Sequence, residues 1–290
     1  MRSNIEQWPI RQLDQAEFPA LLREVPDAPK RLYVRGTLPS PDRILLCVVG
    51  SRAVSAYGKR VTASLIAGLA HAPIAIVSGM ALGTDSEAHR AALDVGLPTI
   101  AVLPSSCDDA SLYPASNFPL AKRILAQGGA LLSENKTPWK AAIYSFPQRN
   151  RVMAAMSKAT LVIEASEKSG TLITVRLALD YNRDVMAVPH EIGREGGTGT
   201  NRLIREGALL VRHSDDILEA LGLKVEQKQK ELPMDLTEPE ALILNALTEA
   251  LVKDELLERT ELSAQQANIA LSSLLIRGLI SERMGKVERA

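Results

Sequence analysis

The sequence is poor in the residues that build metal sites, disulfide frameworks and membrane spans. Its 290 residues include two cysteines, Cys47 and Cys107, and four histidines. The cysteines lack CxxC spacing and the histidines do not cluster with them, so neither a zinc site nor a disulfide framework is expected. No apolar run reaches the roughly 18 residues of a membrane helix. Residues 1–13 lack the apolar stretch of a signal peptide, so we expect a cytoplasmic protein with no membrane partner.

A surplus of charge is also missing, because 34 Lys and Arg balance 34 Asp and Glu. Any basic site for a polyanion must therefore be local. Catalytic patterns are missing too, since there is no HExxH, no Walker A motif and no cluster of carboxylates. No histidine forms a nucleophile–base pattern with Ser51, Ser78 or Ser169. The sequence thus offers no catalytic residue, no metal site and no cofactor site.

What the sequence does contain, from Ile44 onwards, is an alternation of short apolar segments with helical segments. This alternation predicts parallel strands that are covered on both faces. We therefore predict an α/β fold, with an extended Rossmann-like, doubly wound domain and a mostly parallel sheet over residues 44–223. The strands are predicted at 44–50, 74–79, 98–104, 130–134, 159–166, 184–189 and 208–212.

Three further segments flank this domain. Residues 1–43 are predicted to be a short N-terminal extension, and the charged residues 224–236 to be a linker. Residues 237–290 show three helical segments followed by a pattern typical of a β-ribbon, which predicts a small winged-helix domain. Two of these helices begin with capping boxes, Thr237 with Glu240 and Ser263 with Gln266.

Several strand-to-helix turns in the predicted sheet suit an anion. In parallel sheets, ligands bind beyond the carboxyl ends of the strands, where helix N-termini offer unpaired N–H groups. These turns carry glycines beside hydroxyl residues, and two of them add an arginine. The candidate residues are Gly50, Ser51, Arg52, Ser78, Gly79, Ser169, Gly170, Thr171, Asn201 and Arg202.

Each turn also has an ordinary structural interpretation. Residues 50–52 fit a plain strand-to-helix turn with a surface arginine, and the Gly-rich residues 193–200 fit a flexible surface loop. Asn201 fits a simple helix cap. Glu164 is interpreted as a partner for one of the arginines, and His89 as a solvated residue on its helix.

The stretch SFPQRNRVMAAMS, residues 145–157, adds a rare aromatic to these turns. Phe146 is one of three phenylalanines, and Arg149 and Arg151 flank Asn150 at the start of an apolar helix. A helix start with added arginines favours an anion. Several such turns along one edge favour a polyanion over a single phosphate, and an aromatic ring offers a base a surface for stacking. Together these residues predict a site for single-stranded nucleic acid.

Five blocks occur in order along the chain: GSR at 50–52, SGMALGTD at 78–85, FPQRNRVMAAMS at 146–157, EASEKSGTLIT at 164–174 and GTNRLIREGA at 199–208. Together they resemble the signature motifs of the DNA-processing protein A family (DprA, also called Smf). The last part of the chain resembles the winged helix of that family. The resemblance implies an extended Rossmann fold without an established enzymatic activity.

The same resemblance implies a role in natural transformation and DNA uptake. Members of the family bind and protect incoming single-stranded DNA, form homodimers and help load the RecA recombinase. They also help displace single-strand-binding protein. Carried over by motif, the DNA-binding candidates are Gly50, Ser51, Arg52, Phe146, Arg149, Asn150, Arg151, Ser169, Gly170 and Thr171.

The chain departs from the pattern of the family at three points. Thr84 stands where isoleucine is usual, and His190, at the start of the loop at 190–198, stands where glycine is usual. Many members carry a larger N-terminal domain of the sterile-alpha-motif type. We do not expect that domain here, because only about 43 residues precede the first predicted strand.

An enzyme of the same fold class is the alternative. The pattern R…PGGxGTxxE resembles lysine-decarboxylase-like phosphoribohydrolases, which cleave nucleoside monophosphates. These enzymes need a glutamate just after the GT of the helix-opening turn. Here Gly170 and Thr171 are followed by Leu172, Ile173 and Thr174. Because the required carboxylate is missing, this alternative is disfavoured.

The charge of the last segment argues against a second DNA-binding surface. Residues 237–290 hold six basic and nine acidic residues, a net charge of −3. Phosphate surfaces are basic, so this sign is wrong for a DNA reader. We predict that residues 237–290 contact proteins or regulate the chain, and that residues 1–223 keep most of the affinity for single strands.

Overall fold

The computed structural model describes residues 8–224, 236–247, 251–283 and 285–289. The chain divides into two compact units, one with the described residues up to 224 and one with those from 236 onwards. Residues 225–235, most of the predicted linker, lie outside the described residues. No described helix is both long enough and apolar enough to cross a bilayer.

The larger unit is built on a nine-stranded sheet with the order β1-β2-β6-β5-β4-β3-β7-β8-β9. From β6 to β9 all neighbouring strands are parallel, whereas β1 and β2 join antiparallel at the β6 edge. The chain winds outwards from β3 in one direction and from β7 in the other, so the strand order reverses between these two. The strands are β1 (Ile10–Gln12), β2 (Tyr33–Gly36), β3 (Ile44–Val49), β4 (Ile74–Ser78), β5 (Thr99–Val102), β6 (Ala130–Ser133), β7 (Ala159–Val162), β8 (Asp184–Ala187) and β9 (Leu209–Leu210).

Helices cover both faces of this sheet. Successive residues of a strand point to opposite faces, so Cys47 and Val49 of β3 enter one core while Leu46 and Val48 enter the other. The predicted doubly wound α/β fold is therefore confirmed. The helices are α1 (Ala20–Arg23), α2 (Ala56–Ala67), α3 (Thr84–Asp94), α4 (Phe118–Ala126), α5 (Ser145–Met156), α6 (Thr171–Asp180), α7 (Thr198–Arg205) and α8 (Ser214–Ala220).

The segment before β3, predicted as a short N-terminal extension, contributes two strands to the sheet. β2 pairs with β6 in antiparallel register, Val34 lying opposite Leu132, and β1 pairs with β2. An unpaired β6 would leave a row of backbone N–H and C=O groups at the sheet edge, and β2 satisfies them. Phe18 and Leu22 are buried in the core beneath. The first described residues are thus part of the larger unit.

The smaller unit contains α9 (Glu238–Ala246), α10 (Lys253–Thr260) and α11 (Ala264–Ile276) and a sheet of order β10-β12-β11. Both predicted capping boxes are present, at the starts of α9 and α11. This arrangement is compatible with the predicted winged helix. Its strands are β10 (Leu251–Val252), β11 (Ile280–Arg283) and β12 (Lys286–Arg289).

Candidate nucleic-acid interface

A cavity of about 710 Å³ opens at the carboxyl ends of the parallel strands, where the strand order reverses between β3 and β7. This is the crevice in which doubly wound sheets bind their ligands. The turns after β3 and before α6 form one side of the cavity, and the first turns of α5 form another. The predicted residues that line it are Gly50, Ser51, Arg52, Phe146, Arg149, Asn150, Ser169, Gly170 and Thr171.

The turns around the cavity are fastened to one another by hydrogen bonds to backbone carbonyls. Thr171 Oγ1 donates to Gly50 O at 3.0 Å, which joins the start of α6 to the turn after β3. Thr84 donates to Ser51 O from its backbone N at 3.0 Å and from Oγ1 at 3.2 Å. A Cβ at Gly50 would collide with the Thr84 side chain. The glycine after β3 is therefore required by this close approach.

Arg52 and Phe146 meet at the mouth of the cavity. The Arg52 guanidinium carbon lies 5.1 Å from the centre of the Phe146 ring, in a cation–π contact. The edge of Tyr113 meets the same ring, with centroids 5.6 Å apart and an interplanar angle of 75°. Arg52 is exposed and has no carboxylate partner among the described residues. Its charge is therefore available to an anion beside an aromatic surface.

Arg149, predicted as a surface contact for phosphate, is instead buried, with 6% of its surface exposed. It donates hydrogen bonds to Gly79 O, to Val102 O at 2.9 Å and to Asn150 Oδ1 at 3.0 Å. Burial lowers the pKa of Arg149 and raises the pKa of the neighbouring Asp85 carboxyl, and the attraction between the two groups opposes both shifts. Arg149 thus holds the ends of β4 and β5 together beneath the cavity.

Two other predicted residues at the end of β4 are also structural. Ser78 is fully buried and donates to Val48 O at 2.7 Å, so its hydroxyl ties β4 to β3. Gly79 is buried directly against the Arg149 guanidinium, which fills the space that a side chain would need. Neither residue lines the cavity.

Arg151 does not line the cavity either, although it lies only two residues from Arg149. Its guanidinium forms an ion pair with Glu134 and donates to Asp27 O. On an α-helix, neighbours two apart point in different directions, so the pair of arginines cannot share one anion. Arg151 therefore anchors the N-terminal segment to α5.

The loop after β8 lies outside the cavity as well. Asn201 Oδ1 accepts from His190 N at 3.0 Å and Asn201 Nδ2 donates to His190 O at 2.9 Å, so the Asn201 side chain joins the two ends of that loop. Arg202 pairs with Glu206 one turn further along α7, at 3.2 Å. Glu164, interpreted from the sequence as a partner for an arginine, instead accepts from the backbone N of Ser55 at 2.9 Å and from its hydroxyl.

The model of the DNA recombination-mediator protein A family matches residues 10–222. The chain belongs to this family. The resemblance inferred from the five sequence blocks is thereby confirmed.

Individual relatives share from a third to two fifths of their aligned residues with the chain. Protein Smf of Escherichia coli is 41% identical over 208 residues, which cover 72% of this chain and 55% of that protein. Protein Smf of Synechocystis is 33% identical over 311 residues, which cover 94% and 77%. The chain thus spans little more than half of the Escherichia coli relative.

Two solved structures are similar in fold and in sequence. The DNA processing protein A of Streptococcus pneumoniae has a TM-score of 0.66 and 35% identity, over 74% of this chain and 75% of that one. That of Helicobacter pylori has a TM-score of 0.65 and 30% identity, over 74% and 96%. The latter structure is described as showing a single-stranded DNA binding mode of that protein.

The structure adds residues that the sequence patterns did not indicate. Ile143, in the loop before α5, is 91% exposed at the cavity, and Ile173 of α6 is exposed on the facing side. Asp85 lines the cavity as well. Both isoleucines add apolar surface to the edge of the cavity. Ile143 lies close to the block at 146–157, and this proximity could have drawn attention to it. Nothing in the sequence indicated that its side chain faces solvent.

Proposed function

We propose that the chain binds single-stranded DNA across the carboxyl edge of its sheet, and does so as a recombination mediator without enzymatic activity. The observation that carries the proposal is the exposed Arg52 guanidinium stacked on Phe146. That pair places a cation for a phosphate next to an aromatic ring for a base.

The surroundings of this pair support a strand that crosses the cavity. The backbone of Gly50, Ser51 and Gly170 lines the cavity and leaves room for a sugar–phosphate chain. Ile143 and Ile173 offer apolar contacts to further bases. A duplex keeps its bases stacked inside, so these apolar surfaces favour single strands.

The family and the Helicobacter pylori structure support the same ligand. By family membership we further propose that the chain protects incoming strands during natural transformation, helps load RecA and helps displace single-strand-binding protein. We also propose a homodimer. β9 is an edge strand whose two leucines, Leu209 and Leu210, are exposed, and an exposed apolar edge strand is suited to an interface.

The phosphoribohydrolase alternative gains no support from the cavity. The carboxylate that lines it, Asp85, is buried beside Arg149 and accepts from Ala81 N at 3.2 Å. No group of three or more His, Cys, Asp and Glu residues suited to a metal occurs in the described part of the chain. Incubation with a nucleoside monophosphate, followed by analysis for free base, tests the alternative; release of base would support it.

The smaller unit is proposed to bind protein and not DNA. Its α11 occupies the place of a recognition helix, yet Ala264–Ile276 contains neither lysine nor arginine. Ile269 and Ile276 are 65% and 87% exposed on that helix. Apolar exposed side chains without cations suit a protein surface better than a phosphate backbone.

Fluorescence anisotropy with matched oligonucleotides tests the main proposal. The full chain is titrated into a labelled single strand and into its duplex, each at several salt concentrations. We expect tighter binding of the single strand and a linear fall of log K with log salt. Equal affinity for the duplex, or an affinity that ignores salt, would refute the interface.

A further inference from the structure

Another cavity, of about 720 Å³, opens at the amino ends of the parallel strands, the edge opposite to the candidate interface. Its walls come from the N-terminal segment, from the connection between β2 and β3, and from the end of α5. This volume is within the range of small-molecule sites in proteins. The proposed binding of single strands does not use this edge.

Part of the cavity wall is apolar. Phe18 and Met156 are buried in its wall, and Leu38 and Leu45 are half-buried, so part of their surface faces the cavity. Covering such surface with an apolar group releases water and is favourable in proportion to the area covered. The interior therefore suits a hydrocarbon or aromatic body.

The rim of the cavity is cationic. Four basic residues line it, Arg11, Arg23, Arg43 and Lys158, against the two carboxylates of Glu17 and Asp42. Arg11 is engaged by Glu17 at 2.8 Å, which leaves three cations, on Arg23, Arg43 and Lys158, against the one carboxylate of Asp42.

Two of these three cations are held in place by backbone carbonyls. Arg43 Nη1 donates to Ile74 O at 3.2 Å, and Lys158 Nζ donates to Leu221 O at 2.8 Å. Both carbonyls are neutral acceptors, so each side chain keeps its full charge while its position is fixed. Arg23 is exposed at the end of α1. Fixed cations beside an apolar wall form charge-assisted hydrogen bonds with little loss of side-chain freedom.

We propose that this cavity binds a small amphipathic oxyanion, that is, a carboxylate or phosphate attached to an apolar body. The apolar body lies against Leu38 and Leu45, and the anionic group meets Arg23 and Arg43. A nucleic-acid backbone has no apolar group to fill the interior, and a neutral hydrocarbon leaves the cations unused. The site is independent of the proposed binding of single strands.

The test uses the full chain and four ten-carbon probes that differ only in the head group: decanoate, decyl phosphate, decanol and decylammonium. Binding is followed by NMR of labelled Met, Leu and Ile methyl groups. We expect both anions to shift the methyl signals of Met156, Leu38 and Leu45. Decanol is expected to bind about tenfold more weakly than the tighter anion, and decylammonium more weakly still. The ratio between the two anions shows whether carboxylate or phosphate is preferred.

Variants separate this site from general hydrophobic binding. Arg23→Glu reverses an exposed charge at the rim and is expected to weaken the binding of decanoate about tenfold. Arg60→Glu makes the same change on the exposed side of α2, away from the cavity. It is expected to leave the affinity for decanoate within about twofold of that of the parent chain. Leu45→Trp, which fills the interior, is expected to abolish the methyl shifts.

Three results would overturn the proposal. The first is decanol binding as tightly as decanoate, because the rim then contributes nothing. The second is methyl shifts centred on Ile143 and Met153, because the probe then occupies the other cavity. The third is equal loss of decanoate binding in Arg23→Glu and Arg60→Glu.

Discussion

Two surfaces of this chain lie where their folds usually bind DNA or another ligand, and they are built from different side chains. The carboxyl edge of the sheet in the larger unit presents Arg52 stacked on Phe146. The outer face of α11 in the smaller unit presents Ile269 and Ile276 and no cation between Ala264 and Ile276. Position in a fold selects where a ligand can sit, whereas the side chains there select which ligand it is.

The same contrast exists inside the larger unit, between two arginines of the candidate site. Arg52 is exposed and lies over a ring, and Arg149 is buried and bonded to carbonyls of β4 and β5. One is suited to meet an incoming phosphate and the other to hold the sheet edge in shape. Substituting the two in parallel separates function from stability.

Arg149→Met is expected to have the largest effect, and the effect is on folding. The substitution removes the cation near the buried Asp85 carboxyl and the donors to two backbone carbonyls. Losing these buried partners costs about 3–5 kcal/mol of unfolding free energy. Urea denaturation of residues 1–223 measures the loss, with Arg52→Met as the matched control, which is expected to change stability by less than about 0.5 kcal/mol. If Arg149→Met is as stable as the control, Arg149 is not structural and is better interpreted as a contact for DNA.

Phe146→Ala is expected to weaken the binding of single strands by about 1–3 kcal/mol, the usual contribution of one stacked base.

Arg52→Met removes a phosphate contact and is expected to reduce the slope of log K against log salt by about one. Because the two side chains touch, the double variant is expected to lose less than the sum of the single losses. Anisotropy titrations measure all three, with Arg60→Met as the control for loss of a surface charge. A lower melting temperature for Phe146→Ala with unchanged affinity would make the ring part of the core.

The third prediction concerns the pH dependence of stability. It applies to the larger unit, because all four histidines precede residue 224. Burial lowers the pKa of His89 from 6.5 to about 3. Its Nδ1 lies 2.7 Å from Thr99 Oγ1, which itself donates to Ile76 O, so Nδ1 carries the proton. Nε2 has no hydrogen-bond partner among the described residues. The folded state keeps this ring neutral below pH 6.5 while the unfolded state takes up a proton. The stability that His89 contributes is therefore present above pH 6.5 and is lost as the pH falls towards 3.

Between pH 7.5 and 5.5 this loss is expected to be about 1.4 kcal/mol. Urea denaturation at a series of pH values measures it. His89→Asn keeps a donor towards Thr99 and cannot take up a proton. Between pH 7.5 and 5.5 the unfolding free energy of this variant is therefore expected to fall by about 1.4 kcal/mol less than that of the parent. Identical pH profiles for the variant and the parent would show that His89 does not remain neutral in the fold.

Removal of the smaller unit is expected to have the smallest effect. A chain of residues 1–223 should bind single strands within about threefold of the full chain, because α11 offers no cation to a phosphate. Ile269→Glu in the full chain is expected to leave that affinity equally unchanged. A loss of tenfold or more on truncation, with the oligomeric state preserved, would mean that the smaller unit binds DNA.

The central strands were predictable because their sequence contains the reason for their structure. A strand buried on both faces must be apolar throughout, so segments such as ILLCVVG and IAIVSG stand out. The predicted segments 44–50 and 74–79 end within one residue of β3 and β4. β1 and β2 were missed because they are short and mixed in polarity, and because β6, the strand that ties β2 to the sheet, lies about a hundred residues away.

The turns of the candidate site were predictable, but the burial of individual side chains was not. Arg149 and His89 are residue types that are usually exposed, and His89 was predicted to be solvated, yet both are buried. What accommodates them is supplied from elsewhere in the chain: carbonyls of Gly79 and Val102 for Arg149, and the Thr99 hydroxyl for His89. Such partners are set by tertiary packing, which a local pattern does not contain.

The hydrogen bonds that tie the turns at the sheet edge to one another have a consequence for the thermodynamics of association. Since Thr84 and Thr171 already hold the turn after β3, that turn needs little ordering when a strand binds at this edge as proposed. The loss of conformational entropy is then expected to fall mainly on the flexible DNA. Stiffer strands are accordingly expected to bind more tightly than more flexible strands of equal charge.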